Sequence, residues 1–462
     1  MIHARASRRD ILGMTAGLAG TALGTRALAD PRDADLILVN ATVHTVDPKQ
    51  PKAEAFAIRD GRFIAVGTSS DIRTFAGKAT EIVDAKGLTV VPGFIDCHVH
   101  PVGEVLLYQV LVGNPYDVEF VKIDSIISKL RERAAQTPPG TWVEGFFFDD
   151  TKVKDGQPLT VRDLDKASTE HPIMVRHRGG HTYYVNSKAF ELAGVTKDTP
   201  NPFGGTFDRD SDGTLSGRVT DRAGAVFTKV GQRPTYTDEQ RAQRSRDGLA
   251  HISKQFVRYG LTSVHHEGGD LSALQQIRAR GDLKHRVSYE AQGPLVDRLI
   301  ADGFRSGFGD EWLRIGATFE HTIDGSFSER TMALDTPYPG SNPPYKGNLV
   351  TTQEDLNAWV EKVHRAGIQV NCHANGDIAI DMMLTAMERA LKLHPNANAR
   401  PKITHCTLIN DDLIRRMKAM DAVPAVFSTY PYYNSDKFVF YGEAMLQRSM
   451  ALRTMIDAGL RP

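Results

Sequence analysis

Three cysteines in 462 residues are too few for a disulfide framework, so stability has to come from a large apolar core. No excess of either charge is present: 56 Lys and Arg stand against 56 Asp and Glu. That balance excludes the basic face with which nucleic-acid proteins neutralise phosphates, and a polybasic membrane binder as well. A stretch fit to span a membrane is also missing. The uncharged run from Ile11 to Thr25 is too short, and too rich in Gly, Ala and Thr, to stay in a bilayer. What remains is ordinary: 41% hydrophobic and 24% charged residues, too apolar for disorder. The length suits two or three domains, or one large barrel with a satellite.

The first residues read as an address. Ser7-Arg8-Arg9-Asp10-Ile11-Leu12 is a twin-arginine pattern, the apolar run follows it, and Ala27-Leu28-Ala29 supplies a small-x-small cleavage site. Residues 1–29 are therefore expected to be a twin-arginine signal peptide cut before Asp30. The mature chain is expected in the periplasm or outside the cell, with the twin-arginine export machinery as a partner.

From 30 to 89 short β-rich runs such as Asp35-Leu36-Ile37-Leu38-Val39 and Phe63-Ile64-Ala65-Val66 alternate with turn signals, the Asp60-Gly61 pair among them. This pattern predicts a small N-terminal β-sandwich. After Val90 apolar strands alternate with amphipathic helices, the signature of a parallel α/β sheet. Candidate strands are Val90–Asp96, Leu261–His265, Arg286–Ala291, Arg314–Glu320, Gln369–His373, Lys402–His405 and Ala425–Thr429. Thr351 and Glu354 predict a capping box, and Asp377 a second helix cap. Seven strands in sequence predict a (β/α)8 TIM-type barrel over residues 90–462, with an insertion at about 101–255.

Chemistry concentrates at the ends of those strands. In Asp96-Cys97-His98-Val99-His100 the two histidines are two residues apart and share a face of the strand. Such a pair suits a divalent ion such as zinc. Glu320, His373 and His405 each end a later strand, at the rim where barrel active sites assemble. The expected metal ligands are thus His98, His100, Glu320, His373 and His405. Cys97, Cys372 and Cys406 each neighbour a proposed ligand, and alternation turns them toward the helix layer as small apolar residues.

Other residues carry less. His181, Asn186, Arg178 and Trp142 lie in the insertion as candidate substrate contacts, with Arg176 and His177 beside them. Hydrogen bonding that merely holds the insertion together explains them equally well. His265, in the His265-His266-Glu267 cluster, is a candidate to support the ligands. So are Asp324, in the turn Asp324-Gly325-Ser326, and Asp377.

Taken in order, these motifs resemble the amidohydrolase superfamily, in particular its amidohydrolase 3 branch, which includes N-substituted formamide deformylases. The segments that carry the likeness are Pro92 to His100, Gly180-His181, Val185-Asn186-Ser187, Gly260 to His265, Asp324-Gly325-Ser326, His373 to Asp377, and Thr404-His405. The resemblance implies a β-sandwich plus a metal-dependent barrel that hydrolyses non-peptide C–N bonds of small molecules. By position it implies that His98 and His100 are the first-strand metal pair, and that His373 and His405 are later ligands. Glu320 stands where many relatives carry a lysine that can be carboxylated, which leaves one ion or two open. The family's eighth strand bears a proton-moving aspartate, expected beyond Pro462. On this reading the catalytic base is unassigned here, and the chain is expected to be a fragment or a natural truncation. Two rival functions stay open: a non-catalytic remnant that keeps a binding pocket, and another metal-dependent barrel hydrolase such as a phosphoesterase. Homo-oligomerisation is open too.

Overall fold

The structure is a computed structural model that describes residues 33–462. The expected signal peptide lies outside the described residues. The chain divides into two compact units, one ending at Pro92 and the other beginning at Gly93.

In the first unit Leu36–Val39 pairs antiparallel with Ala55–Arg59 and parallel with Glu81–Asp84, and Arg62–Gly67 completes a four-stranded sheet. The hairpin turns at Asp60 and Gly61, both with positive φ (51° and 71°), as a tight two-residue hairpin requires. Thr42–His44, Lys52–Ala53 and Thr89–Val90 form a separate three-stranded sheet. Ile37, Val39, Ala55, Ala57 and Ile72 fill a small core.

The second unit carries parallel strands in two four-stranded runs. Phe94–Val99, Leu261–Glu267, Arg286–Ala291 and Leu313–Thr318 make the first; His321–Thr322, Asn371–Ala374, Lys402–His405 and Val423–Val426 make the second. A parallel bridge between Ala317 and Gln369 joins them, and Thr318 N donates to Gln369 O at 3.0 Å. Helices Asp238–Arg258, Leu271–Ala279, Pro294–Ala301, Gln353–Arg365, Asp377–Leu393 and Asp411–Ala419 alternate with the strands. Their apolar faces (Leu274, Val360, Leu384, Met387, Met417) pack with Val287, Val370 and Ile403 in one core, which is what the run of 3.6-residue periods requires. Among the described residues the outer strands Phe94–Val99 and Val423–Val426 do not pair with each other.

Some expected boundaries move. The first barrel-type strand is Phe94–Val99, not Val90–Asp96, because the chain breaks at Pro92 and Thr89–Val90 joins another sheet. Gly93 is needed there, since a Cβ would sit 2.3 Å from the Thr262 side chain. The last strand ends at Val426 instead of running to Thr429. The helix cap is Thr352, whose Oγ accepts from Asp355 N, instead of Thr351 with Glu354. Gly376 occupies the cap position expected for Asp377.

Between Phe94–Val99 and Leu261–Glu267 the chain builds a six-stranded mixed sheet whose central strands include Val143–Phe148, Ile173–His177 and Thr182–Val185. It has its own apolar clusters, around Ile126, Leu130 and Phe148 and around Trp142, Phe190 and Phe227. A Thr237–Gln240 capping box starts the 21-residue helix that returns the chain to the parallel strands.

Candidate metal centre

Four histidines converge on one carboxylate. Glu320 Oε1 lies 3.2 Å from His100 Nε2, and Oε2 lies 3.3 Å from His373 Nδ1, 3.7 Å from His405 Nε2 and 3.8 Å from His98 Nε2. The rings of His98 and His100 are 4.8 Å apart and those of His373 and His405 4.5 Å. His98, Glu320 and His373 are buried. His100 has its side chain 48% exposed and marks the open side of the cluster. The structure thus brings all five expected metal ligands together.

Their protonation explains why a cation fits. His98 Nδ1 lies 3.0 Å from Glu267 Oε1 and donates to that carboxylate, so Nε2 carries a lone pair. That lone pair faces Glu320 Oε2, and both atoms are buried without a hydrogen-bond partner. Two buried acceptors facing each other are costly unless a positive charge lies between them. Burial pushes the Glu320 carboxyl up, yet the histidines around it outweigh burial and hold its pKa well below the usual range. Imidazole and carboxylate donors of this kind suit a divalent ion.

Strand alternation accounts for three of the histidines. His98 and His100 share a face, and so do Asn371 and His373. His405 does not follow the rule. On its strand Lys402 and Thr404 take the inward face, where they bond Glu290 and Asn371. His405 joins the cluster through a left-handed backbone, with φ of 71° there and 43° at Cys406. Such strain outside glycine is costly and is found mainly at functional sites.

The other expected site residues separate into two groups. His181 lies with the cluster, its ring 4.7 Å from that of His373. Its Nδ1 pairs with Asp221 Oδ1 at 2.8 Å; burial lowers its pKa, but this bond outweighs burial and raises it to about 9. His265 pairs with Glu290 at 3.1 Å, and burial followed by the charge of Lys402 lowers its pKa to about 4. Asp324, fully buried, accepts from the backbone N–H groups of Ala333, Asn375 and Gly376 and so fixes the loop after His373. Burial pushes its pKa up to about 6.

Trp142 and Asn186 are not brought to the histidines. Trp142 lies in an insertion core and donates to Val230 O. Asn186 is buried; its amide caps helix Ser187–Ala193 and bonds Ile173 N, Ser168 O and His171 O, so both ends are already engaged. Arg178 stacks on Tyr433 at 4.8 Å, Arg176 pairs with Glu144, and Asp377 pairs with Arg448. Cys372 and Cys406 are buried, with Cys406 Sγ 3.7 Å from Met417 Sδ in the helix layer. Cys97 is only half-buried.

Sequence reasoning missed Glu290, Lys402 and Asn371, and saw Glu267 only within the His265-His266-Glu267 cluster, which it read equally as support for the ligands or as a solvated turn. The available signal was a polar residue at an inward position of an otherwise apolar strand. A second acidic group, Asp149 and Asp150 with His177, is filled by the buried Lys437, whose Nζ lies 2.9 Å from Asp149 and 3.4 Å from Asp150. It is an ion-pair network.

Residues 81–462 match the Amidohydrolase family. The chain belongs to that family. This amidohydrolase is 27% identical over 438 residues to YtcJ of Bacillus subtilis (strain 168), a span of 90% of this chain and 78% of that protein. It is 24% identical over 464 residues to the N-substituted formamide deformylase of Arthrobacter pascens, covering 92% of this chain and 79% of that protein. In structure it is similar to an uncharacterized metal-dependent hydrolase from Pyrococcus horikoshii OT3. The TM-score is 0.64 at 23% identity, over 92% of this chain and 80% of that one. The fold is therefore TIM-barrel-like α/β, and the amidohydrolase is a hydrolase with a group of candidate metal-binding residues.

Proposed function

We propose that this amidohydrolase cleaves a non-peptide C–N bond of a small molecule, of the amide, formamide or cyclic amide class. The observation that carries the reading is the lone pair of His98 Nε2 facing Glu320 Oε2, both buried and unpartnered, among three further histidines. His98, His100, Glu320, His373 and His405 would hold the ion, with zinc the expected metal. When bound, a divalent ion polarises a carbonyl and lowers the pKa of a water to about 7.

The protein's own groups supply the rest. Asp221 holds His181 through Nδ1 and keeps the imidazole charged, which leaves Nε2–H as a donor for the carbonyl oxygen of a substrate beside His373. Asn348 Nδ2 donates to Asp221 Oδ2 at 2.6 Å and steadies that pair. Arg178 is the proposed substrate contact at the insertion.

The test is hydrolysis of N-substituted formamides, simple amides and phosphoesters by protein loaded with zinc, cobalt or manganese. Amide turnover that a chelator removes and metal restores is the expected result. Phosphoester turnover above amide turnover would overturn the bond class. We also propose twin-arginine export of the mature protein. Arg8→Lys together with Arg9→Lys is expected to hold the precursor in the cytoplasm, and normal export of that variant, followed by cell fractionation, refutes the route.

A further inference from the structure

One carboxylate touches two of the groups assigned to the metal. Glu267 Oε1 accepts from His98 Nδ1 at 3.0 Å, and its Oε2 accepts from the backbone N–H of Glu320 at 3.1 Å. Glu267 is in turn held from behind. Asn371 Nδ2 donates to Glu267 Oε1 at 3.1 Å and to Glu290 Oε2 at 3.2 Å. Lys402 Nζ lies 2.7 and 3.0 Å from the Glu290 oxygens and 3.7 Å from Glu267 Oε1. Thr404 fixes the Asn371 amide by donating to its Oδ1 at 2.8 Å. Glu267, Glu290, Asn371, Lys402 and Thr404 are all buried, so their charges act in a low dielectric and with defined geometry.

His98, Glu267 and Glu290 offer donor atoms close enough to hold an ion of their own. The Lys402 ammonium already fills that role. The carboxylate pair is thus a support with its own cation.

We propose that Glu267, held in place by Lys402 and Asn371, is the positioning residue of the metal centre. Its oxygen accepts from Nδ1 and so selects the His98 tautomer with the lone pair on Nε2. Its second oxygen anchors the backbone that carries Glu320. Partners of this kind raise ligand basicity, and losing one typically weakens metal binding 10–100-fold. The inference rests on the metal-centre reading above.

The experiment strips metal from wild type, Glu267→Gln, Glu290→Gln and His100→Ala, titrates each with cobalt(II), and follows the visible absorption bands and competition with a chelator. Glu267→Gln is expected to bind 10–100-fold more weakly with shifted bands. Glu290→Gln, which leaves the Glu267–His98 contact in place, is expected to change less, and His100→Ala to lose the site. If Glu267→Gln binds within about twofold of wild type while His100→Ala does not bind, the positioning role is overturned and the metal centre stands. Equal weakening in the Glu267 and Glu290 variants also overturns it. If His100→Ala binds as wild type does, the metal-centre reading itself fails. Should Glu267→Gln not fold, the double variant Glu267→Gln with Lys402→Gln removes one acid and one base together and carries the same expectations.

Discussion

His181 and Asn186 stand five positions apart in the sequence and end in unlike surroundings. His181 reaches the histidine cluster, while Asn186 spends its amide on backbone groups of Ile173, Ser168 and His171. Asn186→Ala is therefore expected to destabilise the protein by about 1–3 kcal/mol, the usual cost of a lost cap and unsatisfied buried partners. Denaturant titration measures the loss, and the bound-metal content of the folded variant should stay unchanged. His98→Ala and His373→Ala are expected to lower bound metal, and Cys97→Ala to leave it as in wild type. Metal analysis of the purified variants decides this, and loss in the cysteine variant alone would reverse the assigned orientations. Those orientations were legible in the sequence for His98, His100 and His373, because alternation is local. His405 was found by its position at the end of Lys402–His405, and only its left-handed backbone was not foreseen. Nothing in Thr404-His405-Cys406 announces two consecutive left-handed residues.

At the scale of elements, the insertion is tied to the short helical segment 435–440 by exchanged ion pairs. Lys437 reaches Asp149 and Asp150, and Lys152 reaches Asp436. His177 Nε2 lies 3.4 Å from Asp150, and its Nδ1 lies 3.4 Å from Glu329. Burial depresses the His177 pKa, but the charge of Glu329 and the bonds to Asp149 and Asp150 outweigh it and raise the value to about 10. Such a group stabilises the fold fully below its ordinary value near 6.5 and ceases to do so as pH rises through about 10. Asp149 and Asp150, whose pKa values are lowered, contribute above the ordinary carboxylate range and lose that contribution in acid. The melting temperature is therefore expected to decline from about pH 6.5 toward pH 10, and His177→Gln to flatten the decline. An unchanged slope in that variant would sink the assignment. Lys437→Met, which strands buried carboxylates, is expected to cost about 3–5 kcal/mol.

For the whole molecule, a metal bound at the proposed site would be held by strands from both parallel sheets and would link binding to folding. Glu320 follows Leu313–Thr318, His98 comes from Phe94–Val99, and His373 and His405 come from the other sheet. A ligand bound to the native state alone stabilises it by about 2.7 kcal/mol at a hundred times its Kd. Calorimetry with and without chelator is expected to show a lower Tm for the stripped protein, and a Tm that climbs with added metal. Identical melting curves would show that the cluster holds no ion.

The sequence alone determined the periodicities: apolar strands alternating with amphipathic helices, the Asp60-Gly61 hairpin, and polar side chains at strand ends. Each of these is written within a few residues, since a strand repeats every two and a helix every 3.6. Only the tertiary structure decided which of those side chains meet. His98 and Glu267 are 169 residues apart and touch through parallel register. Lys402 lies between Glu290 and Glu267 because its strand, from the other parallel run, comes up against the paired strands that carry them. Trp142, polar-tipped and in the insertion, went to a local core, where Val230 O took its N–H. Pairings over such separations depend on strand order and stagger, and no local spacing encodes those.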